Sequence, residues 1–271
     1  MFTKHYSSGC FFCRSAIYCL CLTPLFLYLS CLNIYNPYEL SSPIVVITFD
    51  DAHESVYNFA FPAMRSIDST WAATHFFPVT YSQTSDSVTA YSEYGGPITI
   101  AQIREMELAG WETGGHGYSH TNLSSVPIDT VEFQVKSSYE FLVKNGFCHE
   151  SFAYPWGNYN DTVSAIVKKY FKNIRTAHDL WYLDGVNRSE LGYYAVKSGC
   201  SSNDIIARVE NAKAAGASLV IIGFHAILPD TAAAIPVYWC RESVFLSFLR
   251  YLKKQELQVM TLKKAMNVLC P

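Results

Sequence analysis

The residues Ile44-Val45-Val46-Ile47-Thr48-Phe49-Asp50-Asp51 decide the architecture. A short, nearly continuous apolar and β-branched run reads as a strand buried on both faces, and such strands belong to parallel sheets covered by helices. Because the run ends in two acids, the strand delivers both carboxylates at its C-terminal end, where α/β folds collect their active sites. Adjacent carboxylates repel each other unless a cation or a shared proton separates their roles. The pair therefore directs attention to metal ligands elsewhere, and Gly114-Gly115-His116-Gly117-Tyr118-Ser119-His120 supplies two imidazoles.

Working outward, residues 36–43 read as a linker with two prolines and two serines, and residues 54–67 carry apolar positions on one helical face. Strands are expected at 72–79, 111–115, 151–154, 173–176, 193–196, 218–224 and 257–260. Helices are expected at 99–108, 126–145, 161–171, 201–215, 242–254 and 262–268, with Ser201 as a cap and Gly110 and Gly146 as stops. Residues 81–97, rich in Ser, Thr, Tyr and Gly, form a long polar loop able to wall a groove. Strands alternating with helices of this length argue for a parallel sheet or barrel with helices outside.

The chain has 271 residues and a formal net charge of -3, from 20 Lys and Arg against 23 Asp and Glu. It can bury one sizeable core, and without a basic excess it offers nothing for nucleic acid. The first residues differ from the rest. Lys4 and Arg14 precede an uncharged stretch, 15–38, that is long enough to approach or complete a bilayer crossing. Residues 1–36 are therefore expected to be a signal peptide or a signal anchor, 37–43 a linker, and 44–271 one catalytic domain. The basic flank places that domain outside the cytoplasm, secreted or membrane-anchored. Five of the nine cysteines fall in the leader, which leaves Cys148, Cys200, Cys240 and Cys270 for the folded part.

Four features each follow an expected strand: Asp50-Asp51, His116 with His120, Pro155-Trp156-Gly157, and His225. In a (β/α) barrel the strand ends converge on one face, so these groups share a pocket despite their separation in sequence. One carboxylate and two imidazoles suit a divalent metal that keeps positions open for water and substrate. The second acid and the distant histidine then serve as base and acid. Each part alone has an ordinary explanation: Asp51 as a helix cap, the two loop histidines as solvated side chains, His225 as a core histidine. Their joint occurrence at strand ends favours the site.

In this order, the motifs resemble those of the polysaccharide deacetylase family, the NodB-homology domain of carbohydrate esterase family 4, from about residue 44 onward. The resemblance implies a distorted (β/α) barrel. Thr48-Phe49-Asp50-Asp51 is similar to the family's first motif, which implies Asp50 as catalytic base and Asp51 as metal ligand. His116 and His120 fit the second, implying the histidine ligands of a zinc-like ion. Phe152-Ala153-Tyr154-Pro155-Trp156-Gly157 resembles the third, implying that the Trp156 backbone N–H serves an oxyanion hole and that Tyr154 and Pro155 border the substrate. Phe224-His225 resembles the fifth, implying His225 as general acid.

Three positions depart from the pattern. The glycine that usually follows the two acids is Ala52, a change that costs little if its φ is negative. The arginine that commonly opens the third motif and holds the catalytic acid is replaced by Ala153. No fourth motif with an acid and tryptophan is in place, although Asp179-Leu180-Trp181 has the letters. The expected activity is removal of N-acetyl groups from an amino-sugar polymer such as peptidoglycan, a chitin-like oligomer or poly-N-acetylglucosamine, or deacetylation of an O-acetylated glycan. Two rivals accompany it: a non-catalytic glycan-binding homologue, and hydrolysis of a non-sugar C–N amide.

Overall fold

A computed structural model describes residues 42–82, 95–183, 185–232 and 236–271. The expectations for the leader 1–36, for anchoring through 15–38, for most of the linker 37–43 and for the middle of the loop 81–97 lie outside the described residues. Within them, no helix is long and apolar enough to cross a membrane.

Strand β1 (Ile44–Phe49) is buried at every position and lies inside a seven-stranded sheet. On one side it pairs in parallel with β7 (Leu219–Phe224) along its full length, from Ile44 opposite Leu219 to Phe49 opposite Phe224. On the other side β2 (Thr74–Phe77) joins it only at Thr48 and Phe49. Beyond β2 come β3 (Glu112–Gly115), β4 (Ser151–Ala153) and β5 (Asn173–Arg175); beyond β7 comes β6 (Tyr194–Ala195). All these pairings are parallel.

The two sheet edges approach each other through residues 191–195. Leu191 bridges in parallel to Arg175, and three residues later the chain pairs with β7 as β6. Closure by one bridge on the β5 side instead of a continuous ladder makes this a distorted (β/α) barrel, as expected.

Period-2 alternation explains why β1 reads as unbroken apolar sequence. Val45, Ile47 and Phe49 join the large core beneath the helices, whereas Ile44 and Val46 pack with Phe76, Leu219 and Ile221 in a second cluster. Leu262 and Met266 of the last helix belong to that second cluster.

The helices are α1 (Phe61–Ile67), α2 (Ile100–Leu108), α3 (Ile128–Asn145), α4 (Asp161–Val167), α5 (Ser202–Ala214), α6 (Glu242–Lys254) and α7 (Leu262–Leu269). Reciprocal capping boxes, Thr99 with Gln102 and Ser201 with Asp204, start α2 and α5. Gly146, at φ 69, stops α3 in the left-handed conformation.

Two expectations need correction, and one pair of strands adds to them. Residues 54–67 are not one regular helix, because a π-helical turn at Val56–Ala60 precedes α1. Pro62 is the physical reason: it lacks an N–H, and its ring would strike the carbonyl four residues back in a continuous α-helix. Residues 257–260 form no strand and contribute a single bridge, Val259 to Val45. They occupy the part of the β1 edge that β2 leaves free. Finally, a parallel pair, β8 (Ala226–Leu228) and β9 (Trp239–Arg241), was not anticipated and carries aromatic residues to the strand-end face.

Candidate active site

The C-terminal end of β1 is fixed by the Asp50 N–H, which donates to the Phe224 carbonyl at 2.9 Å. The chain then enters the left-handed region at Asp51 (φ 69) and Ala52 (φ 57). The negative φ on which tolerance of Ala52 depended is therefore not what the chain adopts. A left-handed alanine costs roughly 1–2 kcal/mol, which is the reason glycine suits this position. His120 (φ 54) and Trp156 (φ 62) share the conformation, so four of the five non-glycine residues with positive φ among the described residues lie at the strand-end face. Strain of this kind persists where surrounding structure holds residues in place for function.

Asp51 Oδ1 lies 3.3 Å from His116 Nε2 and 3.1 Å from His120 Nε2. His116 Nδ1 is 2.8 Å from the Ala153 carbonyl oxygen. A carbonyl only accepts, so Nδ1 carries the proton. In the neutral ring Nε2 then presents a lone pair to a carboxylate oxygen, an arrangement that a cation between them, or a second ring proton, makes favourable. Two donors about 2.1 Å from one ion and 90–109° apart stand about 3.0–3.4 Å from each other, and the observed separations match. Asp51, His116 and His120 thus fit a divalent metal, their ligand atoms all lying within 4.8 Å of one another. Burial opposes the charge on Asp51, yet hydrogen bonding with the two histidines holds its carboxyl well below the usual carboxylate range.

Asp50 is held differently. Arg175, the last residue of β5, donates from Nη2 to Asp50 Oδ2 at 2.5 Å. Both side chains are buried, and the guanidinium carbon sits 3.9 Å from the Tyr193 ring centroid and 5.2 Å from that of Phe76. Burial alone would lower the Arg175 pKa, but the Asp50 charge reverses this and raises it. The other carboxylate oxygen, Asp50 Oδ1, is buried without a hydrogen-bond partner among the described residues.

His225 follows β7 and brings Nε2 to 4.0 Å from Asp50 Oδ2 and 3.8 Å from Asp51 Oδ2. Burial lowers its pKa despite both carboxylates. Its Nδ1 is buried with no hydrogen-bond partner among the described residues. Trp156 is 68% exposed, and its indole N–H donates to the His120 carbonyl at 3.0 Å.

A cavity of about 460 Å³ brings together Asp50, Asp51, His116, His120, His225, Trp156 and Tyr154. Tyr154 lines it from a buried position, its ring stacked on Tyr159 at 4.6 Å. Pro155 is buried and absent from that lining. Asp179 is also outside it: the acid pairs with Arg208, so the letters Asp179-Leu180-Trp181 supply no group to the site.

Among the lining residues that the sequence did not announce are Arg175, Tyr193 and Tyr238. Arg175 had left a trace, as the one cation inside the expected strand 173–176. Tyr238, whose ring centroid lies 5.1 Å from that of His225, enters on the unanticipated β8–β9 unit.

A family model described as polysaccharide deacetylase matches residues 38–172. No curated protein matches the chain in sequence. Among solved structures, the peptidoglycan deacetylase PdaC from Bacillus subtilis aligns at 19% identity and TM-score 0.54, covering 84% of this chain and 91% of that one. A family 4 carbohydrate esterase from Streptomyces lividans, in complex with acetate, aligns at 17% and TM-score 0.54, covering 80% and 91%. A CE4-family pseudoenzyme from Bacillus anthracis aligns at 16% and TM-score 0.53, covering 83% and 66%. The structural likenesses carry the fold and the sequence model carries the kinship: the chain belongs to the polysaccharide deacetylase family.

Proposed function

We propose that the protein is a metal-dependent hydrolase that removes N-acetyl groups from an amino-sugar polysaccharide outside the cytoplasm. The observation that carries this reading is the division of labour between adjacent acids. Asp51 faces two imidazole Nε2 atoms, while Asp50 is held through Oδ2 by Arg175 and keeps Oδ1 free. Bound by Asp51, His116 and His120, a divalent cation such as zinc would acidify water and polarise an acyl carbonyl.

The remaining steps belong to the chain. Asp50 Oδ1 takes a proton from the attacking water. The Trp156 backbone N–H, turned by its left-handed φ, stabilises the oxyanion of the tetrahedral intermediate. His225 delivers a proton to the departing nitrogen, freeing the amine and acetate. Exposed Trp156 and Tyr238 flank the cavity mouth and suit the apolar faces of sugar rings.

A second reading has its own observation. The unpartnered Nδ1 and lowered pKa of His225 describe a neutral imidazole that no acid orients, a weak proton donor. That supports a glycan-binding homologue without turnover, and one of the structural relatives is itself a pseudoenzyme. Acetate release from N-acetylated chito-oligomers and from peptidoglycan fragments, with and without chelator and against Asp50→Ala, decides between them. Chelator-sensitive release that disappears in Asp50→Ala supports the hydrolase. Sugar binding without release supports the homologue, and release from small non-sugar amides alone points to other C–N substrates.

A further inference from the structure

Asp50 projects from the end of β1, and the group that fixes it comes from β5, at the far edge of the sheet. Arg175 is the Cα partner of Ala153 across the parallel β4–β5 ladder. Registered residues of neighbouring strands point to the same face of a sheet, so positions 153 and 175 aim side chains into the same space. One is a buried alanine and the other a buried arginine. The guanidinium also packs on the rings of Tyr193 and Phe76, contacts that restrict its direction alongside the carboxylate. It takes Oδ2 and leaves Oδ1, on an acid that lines the cavity, without a hydrogen-bond partner among the described residues.

We infer that Arg175 is the positioning residue for Asp50, fixing the carboxylate with one oxygen presented to the cavity and doing from β5 what an arginine at position 153 would do from β4. This rests on the proposed hydrolase for its catalytic consequence, though not for the pairing itself. The chain has thus not lost the arginine whose absence Ala153 suggested; the cation stands one strand over. The packing partners agree with that placement, because Gly223, on β7, has Tyr193 at 2.2 Å from where a Cβ would lie. The missing Cβ leaves room for the ring that lies against the guanidinium.

Two measurements test the inference, one independent of turnover. In a thermal-unfolding cycle, Arg175→Met strands a buried carboxylate and should lower Tm by roughly 5–10 °C, and adding Asp50→Asn should recover at least half of the loss. Additive losses from the two substitutions would overturn the pairing. In kinetics, Arg175→Met should lower kcat at least 100-fold with KM within threefold. The swap Ala153→Arg with Arg175→Ala, which returns the cation to the registered neighbour, should regain at least a tenth of wild-type kcat. A wild-type enzyme that releases acetate while Arg175→Met keeps its kcat overturns the inference and spares the proposed function. Coupling in the unfolding cycle with no acetate release by the wild type leaves the pairing standing and removes the hydrolase.

Discussion

The ring of His116 is pinned by the backbone of Ala153: Nδ1–H donates to that carbonyl at 2.8 Å, which turns Nε2 toward Asp51 Oδ1. The third motif therefore serves the second through main-chain geometry, so the identity of the side chain at 153 is immaterial to this contact. Orientation of a ligand histidine by a carbonyl is a common way of fixing the tautomer that a metal needs.

This arrangement predicts one divalent ion per chain. Equilibrium dialysis with zinc followed by elemental analysis should give a stoichiometry of one for the wild type, and Asp51→Ala or His120→Ala should weaken binding by roughly 100-fold or more. Saturating metal should also raise Tm of the wild type, because ligand at about 100 times Kd adds roughly 2.7 kcal/mol. Variants that keep stoichiometric zinc would show that the three side chains are not the ligand set.

Much of this site was legible because its parts lie at strand ends that apolar runs announce. Ile44–Phe49 and Leu219–Phe224 pair along their whole length, so the acids after one and the histidine after the other had to meet. Arg175 was illegible for the converse reason. Its role depends on which residue of β5 stands beside which residue of β4, and register between three-residue strands leaves no mark in the sequence. The left-handed turn at Ala52 was hidden too, since alanine carries no signal for positive φ. Tyr238 was missed because β8 and β9 span only three residues each, too short for alternation to register.

Acid should destabilise the fold through His75. This imidazole is buried on β2 with Nε2 3.1 Å from Thr113 Oγ1, and burial pushes its pKa down to about 3. A folded pKa below the unfolded value near 6.5 means that the unfolded chain binds the extra proton first. Stability contributed by neutral His75 is thus present above about pH 6.5 and is lost as pH falls toward 3, at up to about 1.4 kcal/mol per pH unit. Urea unfolding at pH 7.5, 6 and 5 should show a smaller loss in His75→Asn than in the wild type. Equal slopes in the two proteins would remove His75 from the acid response.

Gly157 should resist substitution far more than an ordinary left-handed glycine. It has φ 71, and an added Cβ would lie 2.2 Å from Ala177 Cβ, whereas Gly216, at φ 75, has nothing within 4 Å. Both alanine substitutions incur the left-handed cost of about 1 kcal/mol, but only Gly157→Ala adds a clash against a side chain with no rotamers to change. Gly216→Ala should lose about 1 kcal/mol and Gly157→Ala roughly 2–4 kcal/mol by urea unfolding. Similar losses at the two positions would mean that the turn after Trp156 relaxes freely, and with it the amide assigned to the oxyanion.

Tyr238 separates binding from chemistry. Its side chain is 45% exposed at the cavity rim, and its ring rests on His225 with centroids 5.1 Å apart and planes inclined by 30°. On the proposed activity, a ring in that position can stack on a pyranose next to the one that loses its acetyl group. If so, its loss weakens ground state and transition state alike, which raises KM and leaves kcat in place. Tyr238→Ala should raise KM for an N-acetylated oligosaccharide about tenfold, equivalent to about 1.4 kcal/mol, with kcat within threefold. Tyr238→Phe should bind as the wild type does. A fall in kcat at unchanged KM would instead assign Tyr238 to the orientation of His225.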